Sequence, residues 1–514
     1  MLLIHDTIYL DATGATTDAL LIRDGEVVAI GDEAREERRG DERVVEPEAA
    51  CLFPGLADAH CHLWGLGRRA GSRELSEADS WSEALEMFEE IEVDELPAGW
   101  VLGRRWSEKA WPDVGAATTY DWRSDLDRLF PDTPVCLHRV DHHAVLVNSE
   151  ALRRAGYTDG AGEASDSGRA VREADGRLTG LLVDEAMDPV LEAIPPAGRE
   201  EDRRMFFEAA RQYRKFGITC AHIARAEIDR VEMVRDLHEA GDLPLRMYVL
   251  ADGEDERLPD LLEEGPHRDP SAAFACRGVK FFADGALGSG GALLFDSYAD
   301  GSSGLEVTAP ETLREKAVAL MDEGWQVACH AIGDRAVHHV LDAYAAADPD
   351  RRERLRPRLE HAQMMVAEDC GRIGELSTIA SIQPIHMYSD AAWADEVLSD
   401  RQLDRLFRWK TLEAQTTLAG GSDFPIEDPN PWHGIATAIS RRHAGGGRFR
   451  PDEGLGRQQA LAAYTSGAAY AAHWEDRVGQ LRRGFVGDVI ALDRDPFVEE
   501  PESIWETDVL RVWG

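Results

Sequence analysis

The chain is 514 residues long and 43% hydrophobic, which excludes a disordered protein and predicts one large domain accompanied by a smaller one. It carries 97 acidic and 56 basic residues, a formal net charge of -41, and the acidic residues are spread along the whole sequence. Such a surface repels nucleic acids and anionic membranes, so we expect neither as a partner.

Arginine greatly outnumbers lysine among the basic residues. Only five of them are lysines (Lys109, Lys215, Lys280, Lys316 and Lys410). An acid-rich, lysine-poor composition resembles that of cytoplasmic proteins from haloarchaea. We therefore expect a halophilic fold that needs salt to screen its self-repulsion, with an ordinary acidic mesophilic protein as the alternative. Seven cysteines without a C-x-x-C pair suit reduced thiols in a cytoplasm. The sequence shows neither a signal peptide nor an apolar run long enough to span a membrane.

The two ends of the chain read as short strands. In "DALLIRDGEVVAIGD" an Asp24-Gly25 turn joins two β-rich runs, which is a hairpin pattern. The segments "GFVGDVIALDRDP" and "TDVLRVWG" near the C-terminus have the same character. We therefore predict one small β domain assembled from residues 1–53 and 476–514.

The middle of the chain, residues 54–475, alternates short apolar runs with charged segments of helical periodicity. Runs such as "ITCAHIA", "RGVKFFADG" and "WQVACHAIGD" are separated by helices that end at glycine. This rhythm predicts a parallel α/β fold, and the length permits a (β/α)8 barrel. Residues from about 65 to 140 break the rhythm, and we interpret them as an insertion in the barrel.

Metal-ligand residue types end several of the predicted strands: His60, His62, Lys280, His330, His361 and Asp423. With about 30 residues for each βα unit, their spacing places them on barrel strands 1, 4, 5, 6 and 8. On a strand, Asp58, His60 and His62 share one face, and Cys61 points the other way. Imidazole and carboxylate ligands suit Zn²⁺ and related divalent metals at a catalytic site.

A series of motifs occurs in a characteristic order along the chain: "PGLADAHCHLWG", "NSEAL", "TGLLVDEA", "GVKFFADGALGS", "VACHAIGDRAV", "RLEHAQ", "QPIH", "LAGGSDFPIE", "YTSGAAYAA" and "GFVGDVIALDRDP". Together they resemble the amidohydrolase superfamily, and within it amidohydrolase family 3, the metal-dependent hydrolases similar to N-substituted formamide deformylase. The resemblance implies a distorted TIM barrel plus a small β-sandwich domain built from both termini.

The resemblance also implies a role for each ligand position. His60 and His62 would hold one metal, and His330 and His361 a second. Lys280 would be carboxylated by CO₂ and bridge the two metals. Asp423 would bind metal and act as general base toward a metal-bridging hydroxide. We expect divalent metal, most simply zinc, at two ions per chain, with one ion as the alternative.

Substrate contacts are harder to place. The resemblance points to His143, which precedes Asn-Ser, although His142 and Leu146 depart from the family pattern there. Gly290 and Gly291 depart from it as well, since relatives tend to carry Arg-Thr at these two positions. Further candidates for contacting the substrate or supporting a ligand are Asp284, Asp334, Arg335 and His386, with packing or helix capping as the alternative. Asp284 is also a candidate ion-pair partner for Lys280, and His222 is expected to line or pack the barrel.

The resemblance implies an enzyme of the EC 3.5 class that hydrolyses a C–N amide-type bond in a small molecule, an N-substituted formamide or N-acyl amine. One alternative is a mononuclear deaminase or cyclic amide hydrolase of the same superfamily. Deaminases carry Glu three residues after the strand-5 histidine, whereas this chain has Gly333 there. A non-catalytic metal-binding protein is the second alternative. Dimers are common in the superfamily, so a homodimer is one expected assembly.

Overall fold

The computed structural model describes residues 1–65, 72–88, 91, 96, 99–107, 111–114, 120–140, 144–159, 168–195 and 198–514. The chain divides into two compact units. The first contains residues 1–63 and 210–514, and the second contains residues 64–209.

The first unit is built around an eight-stranded parallel barrel. In chain order its strands are Leu56–Cys61, Ile218–Ala226, Arg246–Asp252, Phe274–Phe282, Gln326–Ala331, Arg358–His361, Ile379–Ile382 and Leu418–Gly420, called barrel strands 1 to 8 below. Each pairs in parallel with the next. At the C-terminal rim, the amide of Asp423 donates to the carbonyl of His60 at 2.7 Å, and the amide of His62 donates to Phe424 at 2.8 Å. These bonds join strand 8 to strand 1, so the predicted TIM-barrel fold is confirmed.

Helices follow the barrel strands, and their ends match the capping residues in the sequence. Ile228–Ala240, for example, stops at Gly241, whose φ of 74° suits glycine. The described helices of the first unit are Gly31–Glu36, Ile228–Ala240, Leu258–Glu264, Pro310–Asp322, Asp334–Ala345, Pro349–Leu355, Ala367–Glu375, Pro384–Asp390, Ala394–Val397, Asp400–Leu403, Trp409–Glu413, Pro431–Ser440, Arg457–Ala463 and Ser466–Ala471. The helix Arg199–Lys215 crosses the boundary between the units.

Strands from both ends of the chain form a second sheet, which lies in the same compact unit as the barrel. They are Leu2–Tyr9, Thr16–Arg23, Glu26–Ile30, Val44–Val45, Cys51–Pro54, Val489–Leu492 and Val509–Trp513. The expected hairpin turns at Asp24 and Gly25, which have φ of 49° and 77°. The resemblance implied a β-sandwich, whereas hydrogen bonds connect these strands into one seven-stranded sheet. Leu3 and Leu20 pack in one apolar cluster and Leu2 and Leu21 in another, so both faces are covered.

The second unit has its own sheet and its own core. Its described strands are Arg73–Glu74, Val101–Trp106, Val135–Arg139, Ala144–Val147, Gly168–Arg172 and Leu178–Asp184, and its described helices are Trp81–Glu86, Trp122–Leu129, Ser149–Arg154 and Asp188–Ala193. Tryptophan side chains dominate one of its two apolar clusters. The insertion predicted at about 65–140 falls inside this unit, which continues to Ala209.

A search of the described helices finds none with both the length and the apolar character needed to cross a membrane.

Candidate metal centre

Four histidines and an aspartate converge at the C-terminal rim of the barrel. The ring centroids of His60 and His62 lie 5.7 Å apart, those of His60 and His361 4.9 Å, and those of His330 and His361 4.4 Å. Asp423 Oδ1 lies 3.3 Å from His60 Nε2 and 3.2 Å from His62 Nε2. Residues from barrel strands 1, 5, 6 and 8 therefore meet where the spacing placed them.

Lys280, on barrel strand 4, is buried beside this cluster. Its side chain is 1% exposed, and Nζ has no hydrogen-bond partner in the part of the chain that the structure describes. Burial lowers the pKa of Lys280, although the charges of Glu360 and Asp423 oppose the change. A lysine in this setting has a larger neutral fraction than an exposed one, and its nitrogen is available for another bond.

The backbone turns two of these side chains toward the centre of the rim. His361 has φ of 73° and Asp423 has φ of 56°, values that non-glycine residues seldom adopt. On barrel strand 6, Arg358 and Glu360 share one face, and simple alternation would point His361 to the other. Left-handed backbone at the strand end instead brings the His361 ring beside His330. Such strain is typical of functional sites.

The charge states suit metal binding. Burial lowers the pKa of His330 to about 3, and the nearby charge of Lys280 acts in the same direction. Burial also holds the pKa of His361 well below its usual value, with His330 adding to the effect. Both imidazoles are therefore neutral at pH 7 and keep a lone pair to donate.

Asp423 is the anionic member of the cluster. Burial alone would raise its pKa, but His60, His62 and His361 together outweigh burial and hold the pKa of Asp423 well below its usual range. The Asp423 carboxylate is therefore ionised, as a metal ligand or a proton acceptor must be.

Glu360 and Arg358 belong to the site, although the sequence analysis gave them no role. Glu360 Oε2 lies 2.5 Å from His60 Nδ1, and Arg358 Nε donates to Glu360 Oε1 at 2.7 Å. Both side chains are fully buried. The available signal was the pattern R-x-E-H, which places two charges on the same face of a buried strand.

Asp58 connects barrel strands 1 and 8. Its Oδ1 accepts from the amides of His60 and Ser422, and its Oδ2 accepts from the hydroxyls of Ser422, at 2.5 Å, and Tyr213, at 3.0 Å. Burial raises the pKa of Asp58 to about 6 against these bonds. Sequence analysis placed Asp58 on the face of His60 but assigned it no partner.

The structure brings His386 into the cluster. His386 belongs to the helix Pro384–Asp390, which follows barrel strand 7, and its Nε2 lies 3.5 Å from Asp423 Oδ2. Asp284 lies 3.5 Å from His330 Nε2 and accepts from the amides of Leu293, Ile332 and Gly333. Burial raises the pKa of Asp284 to about 7. These bonds give Asp284 a role in fixing the loop at 293 beside His330.

The remaining candidates are placed differently. Asp334 accepts from the amide of Phe295 at 3.0 Å and pairs with the buried Arg405. Arg335 is exposed at the start of the helix Asp334–Ala345. His143 lies outside the described residues.

His222, on barrel strand 2, lines the barrel interior as expected. It is buried, and its Nδ1 lies 3.2 Å from Nη1 of Arg358.

The donor set fits a divalent metal. Ligand atoms of His60, His62 and Asp423 lie within 4.8 Å of one another, and so do those of His361, His386 and Asp423. His386 Nε2 and Lys280 Nζ are buried beside this cluster without a hydrogen-bond partner among the described residues. Imidazole nitrogen and carboxylate oxygen are zinc ligands, so the chemistry of these donors fits a bound divalent ion. His330 Nε2 instead lies 3.4 Å from the carbonyl of Gly285.

Comparisons with known proteins identify the family of the chain. The profile described as the amidohydrolase family matches residues 45–513. The protein YtcJ of Bacillus subtilis (strain 168) is 33% identical over 509 residues, which cover 96% of this chain and 93% of YtcJ. The N-substituted formamide deformylase of Arthrobacter pascens is 26% identical over 526 residues, 98% of this chain and 95% of that enzyme. The crystal structure of an uncharacterized metal-dependent hydrolase from Pyrococcus furiosus superposes with a TM-score of 0.80 at 26% identity, covering 96% of this chain and 99% of that one.

Proposed function

This chain belongs to the amidohydrolase family of metal-dependent hydrolases, and from that premise we propose that it cleaves the C–N bond of an N-substituted formamide or N-acyl amine. The observation that carries the proposal is the cluster of His60, His62, His330, His361 and Asp423 around a buried lysine. The similarity to a formamide deformylase supports the choice of bond.

We propose zinc as the metal, with two ions per chain. His60 and His62 would hold one ion and His330 and His361 the other, and Asp423 would contribute a carboxylate oxygen. Bound zinc supplies Lewis-acid activation of water and of the scissile carbonyl.

Lys280 becomes a ligand only after modification. Its neutral Nζ would add to the carbon of CO₂: a C–N bond forms, one C=O π bond breaks and leaves its electron pair on oxygen, and one N–H proton passes to water. The product is a carbamate anion. A buried, unpartnered Nζ with a lowered pKa is suited to this reaction. The carbamate would add an anionic oxygen donor to the residues that hold metal.

Asp423 moves the proton in the proposed reaction. Its carboxylate accepts a proton at Oδ2 from the attacking water and returns it to the nitrogen of the departing amine. His386 Nε2, 3.5 Å from that oxygen, steadies the carboxylate between the two transfers.

One observation disfavours the deaminase alternative. A Cβ added to Gly333 would lie 2.1 Å from the carbonyl oxygen of Leu293, so the glutamate that deaminases carry at this position has no room. The buried Lys280 argues in the same direction.

We also propose a small-molecule substrate, a cytoplasmic location and a homodimeric assembly. The acidic surface supports a halophilic habitat of the haloarchaeal type.

The test is hydrolysis of a panel of N-formyl and N-acyl amines by zinc-loaded protein in high salt with bicarbonate, with release of the free amine as the readout. Asp423→Asn keeps the shape of the side chain but removes the base, and it should lower kcat by about 10²–10⁴-fold. Release of ammonia from heterocyclic amines, with no member of the panel cleaved, would contradict the proposal and favour deamination.

A further inference from the structure

The two halves of the metal centre are supported unequally. Nδ1 of His60 is 2.5 Å from Glu360, so Nε2 is the nitrogen that faces Asp423. Nδ1 of His361 is buried and has no hydrogen-bond partner among the described residues. A carboxylate behind a ligating histidine fixes its tautomer and raises its basicity. The His60 side has this support at 2.5 Å. On the other side, Asp284 Oδ1 lies 3.5 Å from His330 Nε2, and no carboxylate among the described residues hydrogen-bonds to His361 Nδ1, so the support there is weaker.

Glu360 is itself held firmly. Arg358 donates to both of its carboxylate oxygens, at 2.7 and 3.3 Å, and also to the carbonyl of Ala59 at 2.7 Å. The Arg358 guanidinium also contacts Ser381 Oγ and the ring of His222, both at 3.2 Å. Arg358 therefore connects barrel strands 1, 2, 6 and 7. A carboxylate fixed in this way leaves His60 little freedom to rotate.

Stability alone does not explain a buried ion pair at this position. Desolvating two charges costs several kcal/mol, and apolar residues of similar size are often as stable or more so. Arg358 and Glu360 are both fully buried. A role in fixing the orientation of the His60 ring would explain why the pair is present.

We propose that Glu360, held by Arg358, is a positioning residue for His60, and that it makes the position bounded by His60, His62 and Asp423 the tighter of two metal positions. Metal then loads in order, first at this position and afterwards at the position that includes His361. This inference rests on the proposed function, because it takes the cluster to be a metal centre.

The experiment is a calorimetric titration of zinc into protein stripped with a chelator, in high salt with bicarbonate, which reads affinity without any substrate. Wild type should show a tight and a weak binding event. The double variant Arg358→Met with Glu360→Met removes both buried charges together and avoids leaving one unpaired. It should weaken the tight event by about 10–100-fold and leave the weak event unchanged.

Two further variants make the result specific. Ser381→Ala removes another contact of Arg358 without touching Glu360, and it should keep both events. His361→Asn should abolish the weak event and retain the tight one. It leaves the Arg358–Glu360 pair intact, so it tests the loading order even if the double methionine variant fails to fold.

The proposal is overturned if the double methionine variant binds its first zinc with wild-type affinity, or if both events weaken equally. Loss of the tight event in His361→Asn would also overturn it. Failure of the proposed function is distinguishable, because in that case wild-type protein would bind no zinc at all.

Discussion

The interiors of the two units are built from different chemistry. In the unit of residues 64–209, Trp81, Trp106, Trp111 and Trp122 pack with ring centroids 5.1 to 6.2 Å apart. In the barrel, the corresponding space holds imidazole, carboxylate, guanidinium and amine groups, including the Arg358–Glu360 pair. One interior is apolar and aromatic, and the other is polar and charged.

Polar atoms in the tryptophan cluster and at the barrel rim have different surroundings. Trp81, Trp106 and Trp111 each donate their indole N–H to a protein acceptor, at 2.7 to 3.0 Å. At the barrel rim, Lys280 Nζ and His386 Nε2 are buried without a hydrogen-bond partner among the described residues. They lie beside ligand atoms of His60, His62, His361 and Asp423 that are close enough to share an ion, and this combination marks the functional interior.

The largest expected effect on folding is in the aromatic cluster. Trp122 is fully buried and contacts the other three tryptophans, so Trp122→Ala should lower the free energy of unfolding by about 3–5 kcal/mol. Urea denaturation followed by circular dichroism in high salt measures it, with Trp122→Phe as the milder control. An unfolding curve identical to wild type would show that this cluster does not stabilise the unit.

A second prediction concerns the polar interior. Asp58 has a pKa of about 6 when folded against an ordinary 3.8, so the folded state favours its protonated form. Stability contributed by this proton is complete below pH 4 and is lost as the pH rises through 6, a change of about 3 kcal/mol.

Asp58→Asn removes this titration. Both proteins would be measured without metal from pH 4 to 6, so that the contributions of the other titrating groups cancel in the comparison. Over this range the free energy of unfolding of wild type should fall by about 3 kcal/mol relative to that of the variant. Parallel pH profiles for the two proteins would contradict the assignment.

The smallest effect concerns salt. Because the net charge is -41, screening of exposed acids should stabilise the fold, whereas buried pairs such as Arg358–Glu360 are screened little. Raising KCl from 0.1 to 2 M should increase the free energy of unfolding by about 2 kcal/mol, seen as a higher melting temperature. Sucrose at matched osmolarity is the control. A melting temperature that stays the same when KCl is raised would rule out a halophilic protein.

Much of the barrel was predictable because its information is local and periodic. The ordered motifs predicted amidohydrolase family 3, and the match over residues 45–513 confirms it. The spacing of strand-ending residues, together with an insertion after His62, predicted barrel strands 1, 4, 5, 6 and 8, since carboxyl ends of parallel strands meet at one rim.

Other features depend on contacts that no local pattern encodes. Glu360 reaches His60 across 300 positions of sequence, and only the closed barrel brings them together. His386 enters the site from a helix after barrel strand 7, so its direction depends on how that helix begins. Sequence showed where the βα rhythm stopped near residue 65, but the end of the second unit at Ala209 depends on its own sheet.

The central claim is a two-metal centre bridged by Lys280, and metal content per chain tests it most directly. Elemental mass spectrometry would be run on wild type and Lys280→Ala, both purified in high salt with bicarbonate. The prediction is close to two metals in wild type and one or fewer in the variant. Equal metal content in the two proteins would place Lys280 outside the centre. No metal in either would contradict the assignment of this chain as a working metal-dependent hydrolase.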